Sequence, residues 1–131
     1  MEKIVKYVGL DVHKDSITIS FADDGRDGEV RVYGKIANDM GQIDKVMRKL
    51  ISQNCELHCV YEAGPCGYPI YRHLTSKGID CVVVAPALIP KKSGDRVKND
   101  RRDAVKLATL HRAGELTAVY VPDQEDEALR D

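Results

Sequence analysis

The chain has 131 residues, with 20 Lys and Arg against 21 Asp and Glu, so a net charge of −1 at pH 7 hides heavy use of both signs. A chain of this length suits one domain that buries about two-thirds of its unfolded surface, enough for a core without disulfides or a structural metal. No apolar run reaches membrane-spanning length, and Met1-Glu2-Lys3 leads into a strand rather than a signal-peptide core; a cytoplasmic protein with no membrane partner is expected.

The first strand is expected from the apolar run Ile4 to Leu10, which stops abruptly on Asp11. Open α/β sheets bind ligands at the carboxyl ends of their strands, where a rigid scaffold holds side chains that still reach solvent. Asp11 is therefore the first candidate site residue. From Asp15 to Ala22, Ser16, Thr18 and Ser20 alternate with Ile17, Ile19 and Phe21, which predicts a half-buried strand. Asp23 to Gly28 is a turn rather than a calcium loop, because Gly25 would stand at a ligand position and no bidentate Glu follows at the right distance. Glu29 to Ile36 alternates again and closes a hairpin with the second strand.

Asn38-Asp39 heads a helical stripe of Met40, Ile43, Val46, Met47, Leu50 and Ile51, with Lys45, Arg48 and Lys49 on the outside. Leu57 to Tyr61 predicts a fourth strand, and it too ends on a carboxylate, Glu62. Ala63 to Tyr68 then suits a tight strand-to-helix turn, and a short helix runs from Pro69 to a stop at Lys77-Gly78. Asp80 to Ala85 predicts a fifth strand, apolar on both faces as in a covered parallel sheet. Cys55, Cys59, Cys66 and Cys81 read as buried thiols rather than metal ligands: Cys55 and Cys59 share one strand face and His58 takes the other. Tyr61, Tyr68 and Tyr71 read as packing or hydroxyl-anchored residues, too few for a base-stacking surface.

Pro86 to Lys98 has no sustained apolar period and predicts a loop or flap. A last helix begins near Asp100, capped by Asn99, and stops at Gly114, with Val105, Leu107, Ala108 and Leu110 as its packing surface. Asp100 and Asp103 are three apart and project from one face. Residues 1–114 are expected to form the domain. Residues 115–131 are expected to be a linker and the start of a helix, with Val119 to Pro122 extended and a capped helix beginning after Asp123 that is too short to stand alone, as in part of a longer protein.

Asp11, Glu62, Asp100 and Asp103 thus form a candidate constellation. If the first and fourth strands are neighbours their ends meet, and the helix closes over them. Carboxylates gathered in this way need cations, and hard oxygen ligands suit Mg²⁺ or Mn²⁺. Two such ions about 4 Å apart clamp the attacking and leaving oxygens of a phosphodiester in nucleases and polymerases. Lys91, Lys92, Arg96, Lys98, Arg101 and Arg102 surround the helical acids, and Lys14 follows Asp11; these are candidate contacts to a nucleic-acid backbone. His13 is read either as a general base or as a rim residue touching phosphate or water.

Three blocks carry a family resemblance: Gly9-Leu10-Asp11-Val12-His13-Lys14, Tyr61-Glu62-Ala63-Gly64-Pro65-Cys66-Gly67-Tyr68, and the stretch from Pro90-Lys91-Lys92 to Asp100-Arg101-Arg102-Asp103-Ala104. In this order they resemble the N-terminal RuvC-like domain of the DEDD transposases of the insertion-sequence 110 class, the bridge-RNA-guided recombinases. The resemblance implies an α/β, ribonuclease-H-like fold. Its mixed five-stranded sheet would have the first three strands antiparallel, the fourth and fifth parallel to the first, and helices on both faces. It implies that Asp11, Glu62, Asp100 and Asp103 are catalytic and hold Mg²⁺, and that the partners are DNA, a structured non-coding guide RNA and further copies of the protein. Family members commonly have Thr at the position of Asn99 and often Pro at that of Ser93; Asn still caps a helix. They continue into a second domain bearing a serine nucleophile, so this chain is expected to bind metal and nucleic acid without completing recombination alone. The competing expectation is a stand-alone Mg²⁺-dependent endonuclease for branched DNA. A sugar-kinase-like ATPase would need a second phosphate-binding hairpin with Asp-x-Gly in another domain, and the triplet Asp23-Asp24-Gly25 lies in the first turn.

Overall fold

The computed structural model describes residues 4–24, 28–51, 55–85 and 100–122, with positions 100 and 101 described through their backbone alone. Lys91, Lys92, Arg96 and Lys98, the loop expected from Pro86 to Lys98, the Asn99 cap and the helix expected after Asp123 lie outside the described residues.

Three strands come first, β1 (Ile4–Val12), β2 (Ser16–Asp23) and β3 (Val30–Ala37), followed by α1 (Met40–Ile51), β4 (Cys55–Glu62), α2 (Pro69–Ser76), β5 (Asp80–Val84) and α3 (Asp100–Arg112). The sheet order is β3-β2-β1-β4-β5. β1 pairs antiparallel with β2 and β2 with β3, whereas β1 and β4, and β4 and β5, are parallel. The carboxyl ends of β1, β3, β4 and β5 therefore open on one edge of the sheet, as the mixed five-stranded arrangement expected from the sequence requires.

Local chemistry sets the element ends. The Asp39 carboxylate accepts the Gly41 N–H at 2.6 Å and caps α1. Pro69 occupies the first turn of α2, where its missing N–H costs nothing, and Gly78 ends the helix at a φ of 79°. Gly114 does the same after α3 at 72°. β3 carries a bulge, since Ile19 faces Gly34 but Ser20 faces Val32, and Gly34 takes the φ of 146° that this irregularity needs.

The two faces of the sheet are packed unequally. Val8, Leu10, Ile17, Ile19, Leu57, Cys59, Tyr61, Cys81 and Val83 form the main core with Ile43, Val46, Met47 and Leu50 of α1 and Ile70 and Leu74 of α2. The other face carries α3, with Val60, Val84 and Leu107 as its buried cluster. A fully buried Val or Leu contributes about 1.5–3 kcal/mol. The main core therefore supplies most of the apolar stabilisation.

Three expectations change. β2 is not half-buried, because α3 lies over its polar face and leaves Thr18 and Ser20 2% and 0% exposed. The α3 packing surface is Ala104, Leu107 and Ala108, with Val105 and Leu110 only partly buried. The chain after α3 also stays against the domain as far as Pro122. Ala118 bridges to Val84, the Val119 N–H donates to the Val83 carbonyl at 2.8 Å, and Arg72 donates to the Pro122 carbonyl at 3.2 Å. This segment lies along β5, while Val119 and Val121 pack on the main core. Cys55, Cys59 and Cys81 are buried free thiols, as expected, whereas Cys66, in the turn after β4, is a free thiol that is only partly buried. Among the described residues, no helix is long and apolar enough to cross a membrane.

Candidate functional site

The β1–β4 register decides where the two strand-end acids sit. Leu10 is level with Tyr61 in a parallel pair, so the next residues, Asp11 and Glu62, follow side by side on the face opposite Leu10 and Tyr61. That is the α3 face. The same row runs on through Thr18 of β2, level with Asp11, to Lys35 of β3, level with Thr18.

α3 then brings the helical acids to this row. His111 lies edge-on to Tyr7 at 5.4 Å between ring centroids, and the backbone of Ala104 and Ala108 presses on Gly9, where an added Cβ would stand 2.7 Å from the Ala108 nitrogen. The helix therefore runs antiparallel to β1. Four residues of helix advance about 6 Å, and two residues of strand nearly the same. One turn back from Ala104 over Gly9 carries the backbone of residue 100 toward Asp11. One turn back from Leu107, which packs with Val60 and Val84, carries Asp103 toward Glu62. Arg112 fixes the other end by donating to the carbonyls of Asp23 and Gly28 at 3.1 and 2.8 Å.

Tyr61 and His13 support the strand-end acids through partners that only the fold brings to them. The Tyr61 hydroxyl donates to the Gly67 carbonyl at 3.2 Å and accepts the Tyr71 N–H at 3.3 Å, and Gly67 takes a φ of 69°. A residue buried in the main core thus clamps the turn that follows Glu62. Burial pushes the Tyr61 phenol well above its usual pKa, so it stays a neutral donor. On the rim, His13 Nε2 donates to Asp11 Oδ2 at 2.9 Å, and the loop carrying it is pinned by Asn38, whose side-chain amide donates to the His13 carbonyl at 2.8 Å. His13 is thus a neighbour of the strand-end acid.

Of the basic candidates, Lys14 is exposed on the β1–β2 turn and Arg102 is exposed on α3, while Arg101 lies on the first turn of α3. Among the described residues, no three His, Cys, Asp or Glu side chains already stand close enough to hold an ion. The Asp100 side chain is not among the described ones. The donor chemistry still fits Mg²⁺ or Mn²⁺: Asp11, Glu62 and Asp103 offer hard carboxylate oxygens from three separate elements on one face. Without a cation, like charges have no reason to draw together.

A second titratable group lies on the same face, nearer the strands' amino ends. His58 stacks on Tyr7 at 5.5 Å, and its two ring nitrogens meet Asp80 at 2.9 Å and Glu56 at 3.2 Å. Both carboxylates accept, so the protonated ring, with both nitrogens donating, satisfies this pairing in full. Burial alone would lower its pKa, but the hydrogen bonds and charges of Asp80 and Glu56 outweigh that and raise it. His111 is pushed the other way, by burial and by the nearby His58 charge, with Asp80 partly opposing.

The fold and the acids can be set beside known proteins. Thermus thermophilus RuvC, in a structure with a Holliday junction substrate, superposes with a TM-score of 0.54 at 9% identity, covering 87% of this chain and 99% of that one. The fold is therefore RuvC-like. Among curated proteins, "Putative transposase y4qE" of Sinorhizobium fredii is 52% identical over 126 residues, and the transposase for insertion sequence element IS1533 of Leptospira borgpetersenii is 43% identical over 126. Each match covers 95% of this chain but 32% and 36% of those proteins, so the chain spans about a third of their length. A transposase family model, DEDD_Tnp_IS110, matches residues 8–131. The chain belongs to this DEDD transposase family.

Proposed function

We propose that this chain is the metal-binding catalytic domain of a DNA transposase, in which Asp11, Glu62, Asp100 and Asp103 hold two Mg²⁺ ions against a scissile phosphodiester. The observation that carries this reading is the parallel register that sets Asp11 beside Glu62 under the start of α3. Bound there, the ions would supply Lewis-acid stabilisation of the developing charge. The chain's own residues do the rest. β1 and β4 fix two carboxylates on a rigid sheet edge, the Tyr61 hydroxyl holds the turn after Glu62, and His13 orients Asp11. Lys14, Arg101 and Arg102, with Lys91, Lys92, Arg96 and Lys98, would hold the DNA backbone without reading its sequence.

The full-length protein would cut and exchange DNA strands during insertion-sequence transposition. Guidance by a structured RNA, assembly of several copies and a nucleophile beyond residue 131 are parts of the same reading, supported by the family membership. The test is transposition by the full-length protein carrying Glu62→Gln. Loss of transposition with normal protein levels supports a catalytic role; unchanged transposition overturns it. Cleavage of branched DNA by the 131-residue chain alone would favour the stand-alone endonuclease instead.

A further inference from the structure

We propose that Lys35 is a phosphate-binding residue of the site, and that the nucleic-acid backbone leaves the acids across the β2–β3 side of the sheet. This rests on the metal-site reading above and adds to it the path of the polyanion. Lys35 is level with Thr18, and Thr18 with Asp11, so Lys35, Thr18, Asp11 and Glu62 form one row on the α3 face at the ligand-binding edge. Neighbouring strands lie about 4.8 Å apart, so the Lys35 and Asp11 backbones are separated by roughly 10 Å. The small side chain between them, Thr18, is buried, while Lys35 on the outer strand is exposed. That separation is short enough for one phosphate next to the scissile one to lie between the Lys35 side chain and the acids.

Charge placement favours this direction. Lys14, on the β1–β2 turn at the same edge, is a second exposed cation on that side. On the other flank, Leu107 packs toward Val60 and Val84, so Asp103, one turn before it, lies toward β4 and the negative charge gathers there. A polyanion avoids the acids except where cations bridge it, and follows the positive side. A lysine on an edge strand also discourages edge pairing between molecules, a role that asks for no alignment with Asp11. Arg31, the other cation of β3, pairs with Glu29 at 2.6 Å and lies at the end of the strand away from the acids.

The test uses the 131-residue chain, a fluorescein-labelled duplex DNA and Ca²⁺, with anisotropy followed against salt concentration, and a parallel Mn²⁺ melting titration. Lys35→Gln should reduce the slope of log affinity against log salt by about 0.9, the share of one phosphate contact. Lys35→Arg should restore it, and Lys45→Gln, an exposed lysine of α1 on the other face, should leave it unchanged. An unchanged slope for Lys35→Gln beside a normal Mn²⁺ response overturns the inference and leaves the metal site standing. A changed Mn²⁺ response at constant slope makes Lys35 a counter-ion of the acids and also overturns it. If the unsubstituted chain neither responds to Mn²⁺ nor binds the duplex, the metal-site reading fails and the inference with it.

Discussion

The backbone of Ala104 occupies the place where a Cβ on Gly9 would stand, so α3 lies on β1 as closely as backbone allows. That approach fixes the height of α3 above the sheet and carries Asp103 to the acidic edge. Gly9→Ala should destabilise the chain by about 1–3 kcal/mol in chemical denaturation, through overpacking against backbone rather than a flexible side chain. It should also weaken the Mn²⁺ response by displacing α3. A variant as stable as the parent would show that the helix shifts freely and that its height does not position the site.

Tyr61→Phe keeps the buried ring and removes the hydroxyl that serves both Gly67 and Tyr71. The expected loss is about 1 kcal/mol, larger if the Gly67 carbonyl is left without a partner. Amide exchange should quicken over 63–68 and in the first turn of α2, with little change in β1 and β2. Uniform quickening across the sheet would instead mean that the hydroxyl supports the whole core.

His58 and His111 should titrate on opposite sides of the ordinary histidine value of about 6.5. The His58 pKa is raised in the fold, so its stabilising contribution is complete below the unfolded value and is lost as pH rises through the folded one. The His111 pKa is lowered, so stability is lost as pH falls from the unfolded value toward the folded one. Above about pH 6.5 only the His58 effect remains, and stability should decline with rising pH until that ring is neutral. His58→Gln should remove this decline. NMR titration that finds His58 at or below the ordinary value would contradict the pairing with Asp80 and Glu56.

Asp39→Ala removes the cap at the start of α1 and should cost about 0.5–2 kcal/mol. The Mn²⁺ response should persist, because α1 packs on the face away from the acids. This variant separates general loss of stability from damage to the site.

Much of this architecture was legible in the residues, and the gaps have physical causes. Asp11 and Glu62 stood out because each ends an apolar run; that they are neighbours depends on the strand order, which no local pattern records. Ser16, Thr18 and Ser20 looked solvent-facing because alternation marks two faces without saying what covers the polar one. α3 covers it, and small residues such as Gly9 and Ser20 let it come close, so alanines rather than a full leucine stripe form its contact. That is why the apolar period of α3 was irregular. Lys35 gave no signal because its alignment with Asp11 runs through two strand pairings. Tyr61 was expected to be a packing or anchored residue and is both.

The central claim, that these carboxylates form a divalent-metal site, is tested most directly by melting the chain while titrating Mn²⁺. At a hundredfold excess over the dissociation constant, a single ion bound only to the folded state adds about 2.7 kcal/mol, which is several degrees in a domain of this size. That rise is expected for the unsubstituted chain, and a flat response for the Asp11→Asn, Asp103→Asn double variant. No rise in the parent, or the same rise in the double variant, would contradict it.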